Sequence, residues 1–162
     1  MSNLLGLEEE TPNEPLEQER SKLEQRMKNG ANWFYWIAGL SLVNSVIFAF
    51  GSTVSFLGGL GFTFIMDVLV NAIIEGGAPV GMRAVSIIFN VVLFGIFALF
   101  GYYSGRGFKA AFIGGLVLYF LDAILVLLFG DFLMAAFHAF ALFFIIRGFM
   151  ACRALQFNAN RH

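Results

Sequence analysis

The chain has 162 residues and a formal net charge of −1, with 59% hydrophobic and only 13% charged residues. Its mean hydropathy is +0.78, whereas soluble domains run nearer half apolar and a quarter charged. No basic surface argues for nucleic acid, and a single cysteine, Cys152, excludes an internal disulfide. The length suits one domain.

Residues 1–30 read as a polar cytoplasmic tail. The opening MSNLLGLEEETPNEP is neither a secretory signal nor a basic transit peptide, so insertion through the first helix is expected. Thr11-Pro12-Asn13-Glu14 has the spacing of a capping box, with Pro at the first helical position. The following LEQERSKLEQRMKNG is rich in helix formers and carries a Glu24–Lys28 pair at i,i+4. Leu16, Leu23 and Met27 give it a thin apolar stripe. A short helix near the membrane surface is expected, with a partner-binding helix as the other reading.

Trp33 to Met66 and Ala84 to Gly105 contain no charged residue. A bilayer core of about 30 Å needs roughly 20 apolar helical residues, so the chain reads as an integral membrane protein. Four spans are predicted, at about 33–55, 83–104, 108–129 and 132–151, followed by a cytoplasmic tail over 156–162. Only Gly130-Asp131 separates the last two, which predicts an antiparallel hairpin with Asp131 capping the final helix. Residues 58–79 are apolar enough to raise a fifth span. With four spans and a cytoplasmic N-terminus, nine Lys and Arg lie inside and Arg83 alone outside; five spans divide them five to five. The positive-inside rule selects four. Trp33, Tyr35, Trp36, Tyr102 and Tyr103 then share the cytoplasmic interface.

The segment 61–75 becomes extracytoplasmic. Asp67, Asn71 and Glu75 recur every four residues, so a helix puts them on one face. This suggests an interfacial helix with its acidic face to water; a re-entrant helix dipping into the bundle is the competing reading.

Asp122 lies eight residues before Gly130 and His138 eight after it. At 1.5 Å per residue both fall about 12 Å below the hairpin turn, at one depth. Asn90 lies within a turn of that layer and Asn44 a turn deeper, while Tyr119 shares a helix face with Asp122 and is placed to donate to it. Facing lipid, an Asp near a helix centre costs about 2.5–3.5 kcal/mol. These five residues are therefore expected to turn inward as a polar cluster, which serves either as a clasp fixing helix register or as a protonatable site. Small-xxx-small pairs at Ala110/Gly114, Ala111/Gly115 and Ala135/Ala139 are expected to serve the hairpin. Cys152 fits a small buried side chain better than a lipidation site.

No metal-ligand set, phosphate loop, CxxC or HExxH element is present in the sequence, so neither metal nor cofactor is expected. The fold class is an all-α membrane protein, a four-transmembrane-helix bundle with a cytoplasmic N-terminal helix. Its expected partners are the lipid bilayer and either a second copy or another membrane protein. A bacterial inner membrane is the expected location, with both termini cytoplasmic. The first functional reading is a non-catalytic membrane subunit or scaffold. A small proton-coupled transporter or channel using Asp122 and His138 comes second, and an intramembrane enzyme third.

Overall fold

The computed structural model describes residues 14–49 and 59–159. These residues form five α-helices and no strand: α1 (Glu14–Ala49), α2 (Gly61–Glu75), α3 (Arg83–Gly105), α4 (Lys109–Leu128) and α5 (Phe132–Ala159). A 3-10 turn, Val80–Met82, leads into α3. Three helices are long and apolar enough to cross a membrane: α3 with its leading turn, α4 and α5. The far end of the expected first span, Thr11 and Pro12 of the capping box, and residues 160–162 lie outside the described residues.

α1 packs on α3 and α5, α4 closes the ring between those two, and α2 fits against α1, α3 and α4. Phe34 of α1 lies fully buried at the centre, its ring 6.0 to 6.3 Å from those of Phe97, Phe100 and Phe112. The outward faces of the helices are apolar as well: Ile87, Ile88, Val91, Phe120, Leu127 and Phe140 are each at least half exposed or close to it. Water would penalise so much contiguous hydrocarbon, and lipid does not.

Three of the turns share one device. Gly77, Gly107 and Gly130 are the positive-φ residues among the described residues. Each follows a helix end and closes paired backbone bonds of the Schellman type, as when Gly130 N–H donates to Leu127 C=O and Asp131 N–H to Val126 C=O. Asp131 then caps α5, its Oδ1 accepting from Met134 N–H at 2.9 Å.

One expectation about helix ends needs correction: the N-terminal helix is not a separate element, because α1 runs unbroken from Glu14 to Ala49. The expected tail from 156 is helical as far as Ala159. The reason α1 does not break at Asn29-Gly30 lies in α5. Gly30 and Gly148 meet backbone to backbone, and a Cβ on Gly148 would lie 2.6 Å from the Gly30 Cα. Gly30 is thus a contact glycine, and the helix formers on either side carry the helix through it. Next along the seam, Trp33 stacks on Phe144 at 5.1 Å. Two of the small residues assigned to the α4–α5 hairpin serve other neighbours: Gly115 receives the ring of Phe34, and Gly114 that of Phe100.

At one end of the bundle the Gly107 carbonyl accepts from Gln156 Nε2 at 2.7 Å and from the Cys152 thiol at 3.2 Å. Met27 of α1 packs on the same glycine. The N-terminal half of α1, the α3–α4 turn and the end of α5 therefore meet, with the α4–α5 turn at the other end.

Adding a methyl group separates a contact glycine from a merely helical one. Gly148→Ala should destabilise the protein by about 1–3 kcal/mol through overpacking. Gly95→Ala, where a Cβ meets nothing within 4 Å, should be neutral or stabilising by up to about 1 kcal/mol. Unfolding in detergent measures both.

Candidate functional site

The chemistry gathers where α2 begins. A helix start leaves its first N–H groups without intrahelical acceptors, and this one is buried: Leu60, Gly61 and Thr63 are all closed off from the surface. Other helices supply the acceptors. Leu60 N–H donates to Ser41 Oγ of α1 at 2.8 Å, and that hydroxyl donates back to Ile37 C=O. Gly61 N–H donates to Asp122 Oδ2 at 2.9 Å, and Phe62 N–H to Asp122 Oδ1 at 2.8 Å. The Asp122 carboxyl group of α4 therefore sits as the acceptor at the N-terminus of α2, where the free N–H groups and the helix dipole favour one. Gly61 permits the approach, since a Cβ there would overlap Val126 of α4.

His138 completes the arrangement from α5. Its Nε2 lies 2.8 Å from Asp122 Oδ2, and its Nδ1 lies 2.8 Å from the Met134 carbonyl oxygen. Both side chains are fully buried. The carbonyl can only accept, so Nδ1 carries a hydrogen. Nε2 and Oδ2 then share one further proton, and wherever it rests the pair is neutral overall. That is the form in which a buried acid and base escape most of the cost of an isolated charge.

Of the five residues expected to cluster, the structure joins two directly. Tyr119 does not donate to Asp122: its ring stacks on the His138 imidazole, centroids 4.6 Å apart and 18° between planes, and its hydroxyl has no hydrogen-bond partner among the described residues. Asn90 belongs to a second group, donating to Asp67 Oδ1 at 2.9 Å and to Ser45 Oγ at 2.8 Å. Asn44 packs against Gly59, where a Cβ would overlap its amide.

The acidic face of α2 also divides. Asp67 is buried and accepts from the Ser86 hydroxyl as well as from Asn90. Asn71 Nδ2 donates to Glu75 at 2.9 Å, and Arg83 donates to Asn71 Oδ1 at 3.4 Å. The face exposed instead is apolar, with Phe64, Val68, Leu69 and Ile73 outward. The expectation of an acidic face turned to water fails at Asp67, because the hydroxyl and amide donors for it lie on α3. No three acidic, His or Cys side chains among the described residues are grouped to hold a metal ion.

No family model, curated protein or solved structure matches this chain. The geometry must carry the functional reading by itself. Sequence reasoning found Asp122 and His138 but missed Ser41 and Gly61. A serine in a span ordinarily bonds its own helix, and nothing in the local pattern marks the second role of Ser41.

Removing one partner of a buried pair is the harshest test. Asp122→Asn should destabilise by about 1–3 kcal/mol, since an amide nitrogen in the place of Oδ2 can still bond the imidazole but leaves the Gly61 N–H without an acceptor. A double-mutant cycle with His138→Gln, read by unfolding in detergent, should give a coupling of about 1 kcal/mol or more.

Proposed function

We propose that the chain is a four-span membrane protein acting as a non-catalytic membrane subunit or scaffold, with α2 as a re-entrant half-helix and the Asp122–His138 pair as the clasp that holds it. One observation carries this reading. Both carboxylate oxygens and both imidazole nitrogens have partners within the fold, and both side chains are sealed from the surface. A proton-transfer site needs a route by which its proton reaches water, and a nucleophile needs an open face for its substrate. Ser41, which meets the same buried helix start, already bonds Ile37 and Leu60. Among the described residues no serine is bonded to His138, which argues against a hydrolase.

The four-span reading draws on the arrangement of the ends. Arg20, Lys22, Arg26 and Lys28 of α1, with Arg106 and Arg153, belong to segments that meet at one end of the bundle. By the positive-inside rule that end is cytoplasmic. Arg147, about one turn before the end of the expected fourth span, lies over the ring of Phe143 at 5.6 Å and is exposed, as a snorkelling side chain is. The inverted polarity of α2 supports re-entry, since backbone that enters a bilayer without crossing it must be enclosed by protein.

Two measurements test the proposal. With Cys152 replaced by alanine, Glu75→Cys should react with a membrane-impermeant maleimide from outside intact cells, and Lys109→Cys only after permeabilisation. Five spans would reverse the two. Purified protein in liposomes should show no proton flux above that of empty liposomes. Flux that His138→Gln abolishes in a still-folded protein would replace the scaffold with a proton-coupled transporter.

A further inference from the structure

The N-terminal half of α1 carries its charges on two different sides. Glu17, Glu19 and Glu24 line a groove with Lys28 and Arg106, between α1, the α3–α4 turn and the end of α5. Arg20 pairs with Glu24 there at 3.1 Å. Lys22, Arg26 and Asn29 are exposed and stand apart from that groove. Glu24 is the only acid between residues 22 and 36, and it belongs to the groove.

One stacking contact locates the second set. Trp33 of α1 stacks on Phe144 of α5 at 5.1 Å, which marks one side of the α1–α5 seam. Arg26 is seven residues before Trp33, two turns along the same helix face, with Lys22 and Asn29 beside it at i−4 and i+3. Arg147 is three residues after Phe144, and its guanidinium lies over the Phe143 ring at 5.6 Å. At 1.5 Å per residue, Arg26 stands about 10.5 Å and Arg147 about 4.5 Å beyond the stack, toward the same end of the bundle. Side chains of this length that start about 6 Å apart in height can reach one phosphate between them. Neither has an ion-pair partner: among the described residues the pairs are Arg20–Glu24 and Asp122–His138. On the other side of the stack, toward the bilayer centre, Phe140 and the Phe143 ring are half exposed.

We propose that this seam binds one anionic phospholipid, its phosphate held between Arg26 and Arg147 and an acyl chain laid along Trp33 and Phe140. Guanidinium forks match phosphate oxygens bidentately, and Lys22 and Asn29 add donors at the rim. The aromatic wall selects an amphiphile, because inorganic phosphate fills only the head of the site and a soluble acidic peptide meets hydrocarbon where it needs water. A zwitterionic lipid brings its own cation to the phosphate and gains less from two arginines. The inference rests on the proposed membrane topology, which sets this end of the seam at the cytoplasmic headgroup layer, where anionic lipids meet basic side chains.

The test is thermal unfolding of the full chain in a non-ionic detergent with dioleoyl phosphatidylglycerol, dioleoyl phosphatidylcholine or inorganic phosphate. Phosphatidylglycerol should raise the midpoint saturably, by roughly 3 °C or more, while phosphatidylcholine and inorganic phosphate should not. Arg26→Gln combined with Arg147→Gln should remove the rise. Lys28→Gln combined with Arg106→Gln removes as much charge from the other groove and should keep it. All four positions are exposed, so both variants should fold; if the first does not, Arg26→Glu alone decides, and it should also lose the rise. No rise with phosphatidylglycerol, or an equal rise with phosphatidylcholine or inorganic phosphate, overturns the proposal. So does a rise kept without Arg26 and Arg147, or one lost equally without Lys28 and Arg106. The maleimide labelling reads the topology separately, so correct labelling without a lipid effect strikes this inference alone.

Discussion

The start of α2 is a set of backbone N–H groups enclosed by other helices, and the Asp122 carboxylate meets two of them. Much of the arrangement follows from that contact. An unmet N–H in an apolar interior costs as much as a lost hydrogen bond or more, so α2 can begin inside the bundle only where acceptors are already in place. Asp122 provides two and Ser41 a third, from helices on different sides. The carboxylate in turn requires compensation, which His138 gives from α5. Four helices are tied through one acidic side chain and its neighbours.

Close approach is the second condition. A carboxylate spans only a few ångströms, so the backbone of α2 must come almost into contact with α4, and Gly61 removes the side chain that would prevent it. The seam between α1 and α5 follows the same principle at Gly30 and Gly148. Lipid gives apolar helices little reason to prefer each other over the bilayer, so close packing and hydrogen bonds must supply the association. The aromatic residues around Phe34 fill the space between the close contacts.

The legible parts of this fold are those governed by length and depth. Helical segments stand out because hydrocarbon runs and glycine turns mark them, and the common depth of Asp122 and His138 follows from counting residues either side of Gly130. What escaped was the identity of partners. Asn90 lies near the right depth for the clasp, but its direction around α3 sends it to Asp67, and a rotation about a helix axis is weakly encoded where every face is apolar. Tyr119 was on the correct face of α4, yet the flat imidazole beside it offered a stacking surface. The role of Ser41 was hidden for a different reason: its partner is a backbone N–H, which every residue has. The contact at Gly30 was hidden too, because the pattern of α1 alone does not show that α5 covers it.

The two buried acids divide the labour of this interior. Asp122 is answered on every side, by two backbone donors and a proton-sharing base, so a change of charge there would disturb three helices at once. Such a site suits permanence. Asp67 is held by two neutral donors beside a cavity, with an acceptor to spare on Asn90, and its removal would affect fewer contacts. Burial of a carboxylate carries the same desolvation penalty in both places. Within the described fold that penalty is offset by a cation-forming partner only at Asp122.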